Sequence, residues 1–331
     1  MRATFQIVHH NDQDGWCAAA AIGLKIDEAF RRGLVPSDTI IRFIETDYGK
    51  EPPIEKLLPR TPHDRLYLVD FSFKFPIMRD LASAYGKNFV WIDHHMLSPE
   101  IIELPIPGIR DEQASACLLA FFWDIVRSAP QPLASQVIGN QEDPEITPVI
   151  PPIVQAIDKS DMGRFDIENY SIWRAIEFFD FLRLDGREAK DFVTLRDWLI
   201  NWAVFFEPQK HKNAHNAIRE LYSFGTRIFN WERREAKKLV SDGVVMGVLE
   251  GLRVAGINVR RISWPLQMAL EAELPTATEL YVAYWRDGED WRYALRRPHW
   301  NQRVLCHEIA QKFGGGGHPG AAGFRSKKFL F

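Results

Sequence analysis

The first hundred residues repeat one hydropathy pattern: a short, unbroken apolar run rich in β-branched residues that ends abruptly in acids or histidines. Four such runs occupy 4–8, 39–44, 66–69 and 89–92. The first leads into His9, His10, Asp12 and Asp14, the second into Asp47, the third into Asp70, and the fourth into Asp93, His94 and His95. Continuous apolar runs of this length predict strands covered on both faces. Between the first two, an Ala-rich segment starting at Trp16 predicts a helix that stops at Gly33. Strand, helix and strand in succession predict a parallel sheet, so the N-terminal part is expected to be an α/β domain with helices on both faces. Ligands of such sheets collect beyond the carboxyl ends of the strands, where these acids and histidines fall.

Further along, 113–126 is apolar throughout and predicts a helix buried against the sheet. Proline and glutamine mark 129–152 as an excursion, after which a helix at 153–157 delivers Asp158 and Asp161. The stretch 171–238 is helical in character and crowded with aromatics, among them Trp173, Phe178, Phe179, Trp198, Trp202 and Trp231. Core and interface packing accounts for such residues more readily than base stacking does, and the stretch would serve as a homodimer surface. From 239 the pattern turns to short strands, with a hairpin signal at Asp287-Gly288, then a helix at 302–313 that runs into GGGGHPGAAGF. Three domains are therefore expected: a catalytic α/β domain at 1–185, a helical linker at 186–238 and a smaller α/β domain at 239–331.

Composition narrows the class. With 41 Lys+Arg against 44 Asp+Glu the net charge is −3, which argues against a duplex-DNA-coating protein and leaves room only for local nucleic-acid contacts. The N-terminus turns polar before a signal-peptide core could form and no apolar run reaches membrane-spanning length, so the expectation is a cytoplasmic protein that does not span a membrane. Cys17, Cys117 and Cys306 lie far apart, with neither disulfide-framework nor zinc-site spacing, and read as buried thiols.

Chemistry enters where the runs end. Asp12 and Asp14 alone would read as helix caps and turn formers. Together with Asp70 and the Asp93-His94-His95 triplet at neighbouring strand ends, they form a carboxylate cluster that repels itself and is costly to desolvate unless a cation neutralises it. Carboxylates with a few imidazoles suit Mg²⁺ or Mn²⁺ rather than a thiolate-bound metal. Two such ions bridged by a carboxylate form the clamp used for in-line displacement at phosphorus. Asp93 would hold a histidine by its other ring nitrogen. Glycines 314–317 could cradle an anion with exposed N–H groups or serve as a flexible tether. Ser115 reads as a helix N-terminal residue.

The elements HNDQDG, LVDFS, IDHH, IDKSDMG and FGGGGHPGAAGF resemble the motifs of the DHH phosphoesterase superfamily with its DHH-associated C-terminal domain. HNDQDG resembles the opening of its oligoribonuclease branch. The resemblance implies that His10, Asp12 and Asp70 hold one Mn²⁺, and that Asp14, Asp70, His94 and an aspartate of IDKSDMG hold a second. Mg²⁺ or Co²⁺ are alternative occupants. The closing aspartate is Asp158 if the preceding helix sets the register and Asp161 if Gly163–Phe165 sets it. The resemblance also makes His95 and Asp93 the catalytic pair, with His95 facing substrate as a phosphate contact or acid catalyst. It assigns substrate binding to Arg296, with Arg297 as fallback, and to Gly315, Gly316, Gly317 and His318 as a loop facing the metals. The implied activity is Mn²⁺-dependent hydrolysis of short single-stranded RNA or linear dinucleotides to nucleoside 5′-monophosphates. Competing readings are a cyclic-dinucleotide phosphodiesterase, a phosphoanhydride hydrolase acting on pyrophosphate or polyphosphate, and a nucleotide-binding regulator without activity. Met96-Leu97 stand where many relatives carry polar or basic residues, so substrate choice does not follow from the resemblance.

Overall fold

β1 (Thr4–His10) is an inner strand of the N-terminal sheet, paired in parallel with β2 (Ile40–Thr46) on one side and β3 (Arg65–Val69) on the other. β4 (Phe89–Asp93) and β5 (Gly108–Arg110) extend the sheet in the same direction, giving the order β2-β1-β3-β4-β5. The chain thus leaves β1 for β2 and returns to the opposite side of β1 at β3, which makes the crevice between β1 and β3 the topological switch point. This fold is seen in a computed structural model that describes residues 2–36, 38–48, 51–95, 98–124, 129–130, 150–183, 214–274 and 276–330. The chain divides into two compact units, Met1–Thr226 and Arg227–Phe331.

Both faces of the sheet are covered, as the apolar runs require. Ile7, Tyr67, Val69 and Ile92 pack against α1 (Gln13–Arg31), α4 (Ala116–Phe122) and α5 (Pro152–Asp161). Their strand neighbours Val8, Leu66, Leu68 and Trp91 point to the opposite face and pack against α2 (Phe75–Tyr85). Alternate residues of one strand therefore serve two separate cores. The Ala18–Ala21 run of α1 is buried, and its small side chains let the helix lie close to the strands. Between these elements are α3 (Pro99–Ile102) and a two-stranded pair, β6 (Trp123–Asp124) with β7 (Ala129–Pro130). Helix α6 (Ile167–Arg183) follows α5.

The helix expected at 113–126 is shorter. α4 stops at Phe122 because Trp123 is extended and enters β6, and the Lys25 ammonium donates to the carbonyls of Phe121 and Trp123 that the ending leaves open. Helix α2 and strand β5 were not foreseen. Of the expected linker, 186–213 lies outside the described residues, and the unit boundary falls within α7 (Ala214–Gly243).

The second unit is a six-stranded sheet of order β12-β13-β11-β10-β9-β8. β8 (Val244–Leu249) and β9 (Leu252–Ile257) are antiparallel, β9 and β10 (Leu280–Asp287) parallel, and β10 and β11 (Asp290–Arg296) form the expected hairpin. Its turn is Gly288-Glu289, with Gly288 at φ 61°. Helix α8 (Trp264–Glu273), also unforeseen, packs against one face of this sheet, and α9 (Cys306–Lys312) against the other. The second half of the glycine run enters a strand: β12 (Gly316–His318) pairs antiparallel with β13 (Ala321–Ser326). Glycine permits this pairing, because a Cβ on Gly315 would lie 2.1 Å from the Gly323 carbonyl oxygen and one on Gly317 would lie 2.5 Å from Ala322 Cα. No helix among the described residues is long and apolar enough to cross a membrane.

Candidate metal centre

The carboxyl ends of β1, β3 and β4 and the last turn of α5 converge at the β1/β3 switch point. β1 ends in His10, and Asp12 then caps α1 by accepting the Gly15 N–H at 2.9 Å. That leaves the second Asp12 oxygen 2.7 Å from His10 Nδ1. A Cβ on Gly15 would stand 2.4 Å from the His10 carbonyl oxygen, so glycine is what lets α1 begin this close to β1. Asp14 follows in the first turn of α1, buried, and its carboxylate accepts the N–H groups of Ala116 and Cys117 at 2.8 and 2.9 Å. Asp70 ends β3 in the left-handed region at φ 55°, a conformation aspartate tolerates better than most residues.

Three groups of three side chains offer ligand atoms all within 4.8 Å of one another: His10, Asp12 and Asp70; Asp14, His94 and Asp161; and Asp70, His94 and His95. Asp70 and His94 join them. Nε2 of His94 lies 3.3 Å from Asp70 Oδ1, 3.3 Å from Asp161 Oδ2 and 3.6 Å from Asp14 Oδ2. Of the two candidates for the closing aspartate, Asp161 faces this cluster. Asp158 instead accepts the N–H of Ser115 at 2.8 Å, and Ser115 caps α4.

Asp93 lies beneath the two histidines, fully buried. One of its oxygens accepts the N–H groups of His94 and His95 at 2.8 and 3.2 Å and lies 2.8 Å from His95 Nδ1. His95 is within 3.7 Å of Asp70 Oδ1.

The charges conflict without a cation. Burial, and then the neighbouring Asp14 and Asp12, push the Asp161 carboxyl up to about 9. Burial and the same two acids, with Asp93, raise Asp70 well above the carboxylate range, and burial raises Asp14. Burial also lowers the pKa of His94 and favours the neutral imidazole that a metal ligand requires. At the rim the balance reverses. Burial opposes ionisation of Asp12, but its bond with His10 and the N–H of Gly15 hold it down at about 2, and that bond raises His10. His95 is raised despite its burial, through the hydrogen bond with Asp93.

A divalent cation fits this arrangement. Asp70 is 1% exposed, yet neither of its carboxylate oxygens meets a hydrogen-bond donor among the described residues. Buried carboxylate oxygens without donors are rare and costly, and imidazoles and further carboxylates surround these two. The donor set is oxygen and imidazole nitrogen, as hard and borderline divalent ions prefer.

Two nearby residues were not assigned to the site from the sequence. Asp47, after β2, lies 3.5 Å from His10 Nε2. Tyr48, half exposed, packs its ring against His10, Phe71 and His95. The strand-end pattern marked Asp47, but nothing in it showed that β2 would neighbour β1 on the side of His10.

In the second unit Arg296 ends β11 half-buried, opposite Ala321, and no hydrogen bond or ion pair joins its guanidinium to another described residue. The Arg297 guanidinium donates to the carbonyls of Gln302 and Val304, a structural use. Gly316, Gly317 and His318 are exposed along β12, and Gly315 precedes them.

No protein-family model matches the sequence, and no curated protein does. Solved structures do. The DHH domain of a protein described as belonging to a family of ribosomal proteins matches with a TM-score of 0.55 and 14% identity over 98% of this chain and 83% of that one. A pGpG-specific phosphodiesterase from Vibrio cholerae matches with a TM-score of 0.47 and 15% identity over 97% and 92%. RecJ from Thermus thermophilus in complex with Mn²⁺ matches with a TM-score of 0.44 and 14% identity over 97% of this chain and 49% of that one. The first of these shows the class to which the architecture belongs: an α/β protein with a parallel sheet and a second sheet unit. The chain has the DHH-domain fold.

Proposed function

We propose that this protein is a divalent-cation-dependent phosphodiesterase that hydrolyses short oligoribonucleotides or linear dinucleotides to nucleoside 5′-monophosphates. One observation carries the reading: His10/Asp12/Asp70 and Asp14/His94/Asp161 form two ligand groups that meet where His94 Nε2 lies 3.3 Å from Asp70, whose buried carboxylate accepts no hydrogen bond from the described residues. His10, Asp12 and Asp70 would hold one Mn²⁺, and Asp14, Asp70, His94 and Asp161 the other. Such a pair, when bound, supplies Lewis acidity at phosphorus and a hydroxide nucleophile at neutral pH.

The chain's own residues prepare the rest. Asp14 is fixed by two backbone N–H groups, so its carboxylate is presented without rearrangement. Asp93 orients His95 through Nδ1 and favours the imidazolium, which places a proton donor at the rim for the departing oxygen. In the second unit Arg296 and the β12 edge, Gly315 to His318, would hold a phosphate or base of the substrate; a guanidinium with no partner among the described residues suits a bidentate phosphate contact.

Purified protein incubated with Mn²⁺ and a linear dinucleotide, a cyclic dinucleotide, short RNA or pyrophosphate tests the assignment by product identity. Release of nucleoside 5′-monophosphates from the linear substrates is expected, with loss of about 10²-fold or more in the Asp70→Asn and His94→Ala variants. Turnover that survives either substitution, or orthophosphate release from pyrophosphate alone, would overturn it.

A further inference from the structure

A groove of about 880 Å³ lies beside β2, on the sheet face that carries α2, and it is separate from the metal cluster. It is walled by β2 and by the segment 52–60. Its volume is in the range of small-molecule sites. Arg42, Lys56 and Arg60 line it, and no acidic residue does among the described residues. No hydrogen bond or ion pair joins these three side chains to other described residues. The wall between them is apolar, with Ile44, Pro53 and Leu57.

Gln6 is among the residues that line the groove. It is 4% exposed, and its amide nitrogen donates to the Leu57 carbonyl at 3.2 Å and the Tyr85 hydroxyl at 2.9 Å. Those two bonds fix the amide, and its oxygen, also buried, meets no donor among the described residues. A buried acceptor held in place by its own two donor bonds is suited to receive an N–H group from a ligand.

We infer that this groove binds a nucleoside monophosphate, as a site distinct from the metal centre and independent of what the metal centre hydrolyses. Three cations without acid partners match a dianionic phosphate, an apolar wall matches a planar base, and every nucleobase carries an N–H group for Gln6 Oε1. An inorganic anion would use only the first of these features.

The test is calorimetric titration of each of the four nucleoside 5′-monophosphates, and of inorganic phosphate, into the full chain in excess chelator, which removes the metal centre from the reading. At least one nucleotide is expected to bind about tenfold or more tighter than phosphate. The Arg42→Ala/Arg60→Ala protein is expected to lose about tenfold or more of that affinity. Asp70→Asn and Arg296→Ala proteins should retain it, and the Gln6 side-chain amide resonances should move on titration. Absence of binding by all four nucleotides, phosphate binding as tightly, affinity retained in the double variant, or affinity lost on changing Arg296 would each overturn the inference.

Discussion

Asp14 Oδ1 accepts the N–H of Cys117 at 2.9 Å across 103 positions of sequence, so the N-terminal turns of α1 and α4 share one buried carboxylate. Asp14 is thus a structural residue and a candidate metal ligand at once, whereas the carboxylate of Asp70, equally buried, accepts nothing from the described residues. Chelated protein should separate the two roles. Asp14→Ala leaves two buried N–H groups without acceptors and is expected to cost about 2–5 kcal/mol in urea unfolding. Asp70→Asn replaces a buried carboxyl whose ionisation burial and its acidic neighbours oppose, and should leave stability unchanged or raised. Both variants should lose cation binding.

Gly15 sets how closely α1 approaches the end of β1. With 2.4 Å between a Cβ there and the His10 carbonyl oxygen, Gly15→Ala must displace backbone on one side or the other. The expected result is a loss of about 1–3 kcal/mol in stability, with Mn²⁺ affinity reduced by at least tenfold because His10 and Asp12 flank the displaced turn. Wild-type Mn²⁺ affinity in this variant would show that the close approach does not position the ligands.

Cation binding should depend steeply on pH. Asp161, raised to about 9, is protonated near neutral pH in the metal-free fold but ionised in the unfolded chain above about pH 4, and burial with its acidic neighbours shifts Asp70 in the same direction. Between those limits the folded state holds more protons, so metal-free stability falls as pH rises. A cation must displace these protons, and its apparent affinity should rise from pH 6 to pH 8, by up to about tenfold per pH unit for each proton released. The increase in melting temperature on adding Mn²⁺ should grow over the same interval. Titrations in buffers of different ionisation enthalpy would count the protons, and a pH-independent affinity with no proton release would contradict this account.

The parts of this centre that were legible in the sequence are those set by one strand and its own end. Apolar runs ending in Asp70 or in Asp93-His94-His95 state both a strand and what emerges from its carboxyl edge. What was not legible depends on contacts made far along the chain. Asp158 and Asp161 differ in which face of α5 they occupy: Asp158 meets Ser115, and Asp161 lies beside His94. Asp47 reaches His10 only because β2 pairs with β1. The glycine run was ambiguous for the opposite reason: glycine is compatible with a tether, a loop or a close-packed strand. Only the β13 backbone beside Gly315 and Gly317 selects the strand.

Asp93 should act on the reaction through His95. Its carboxylate raises the imidazole pKa, so if His95 donates the proton to the departing oxygen, kcat falls as pH climbs through that raised value. Asp93→Asn removes the anion, and the alkaline limb of the profile should move to lower pH while kcat drops by about 10–10²-fold. KM should change little, because Asp93 is buried away from any substrate. An alkaline limb that stays in place would mean that another group supplies the proton.

The glycines of the second unit should differ sharply from one another. A Cβ on Gly317 would meet the Ala322 backbone at 2.5 Å, and Gly317 also sits at φ 140°, where side chains are strained. One on Gly316, between the two tight positions, meets nothing within 4 Å. Gly317→Ala is therefore expected to separate β12 from β13 and to cost about 2 kcal/mol or more. Gly316→Ala should change stability by less than about 1 kcal/mol. Hydrogen exchange localises the effect: faster exchange of the Ala321–Phe324 amides in Gly317→Ala and unchanged protection in Gly316→Ala. If the run were a tether, both substitutions would be silent.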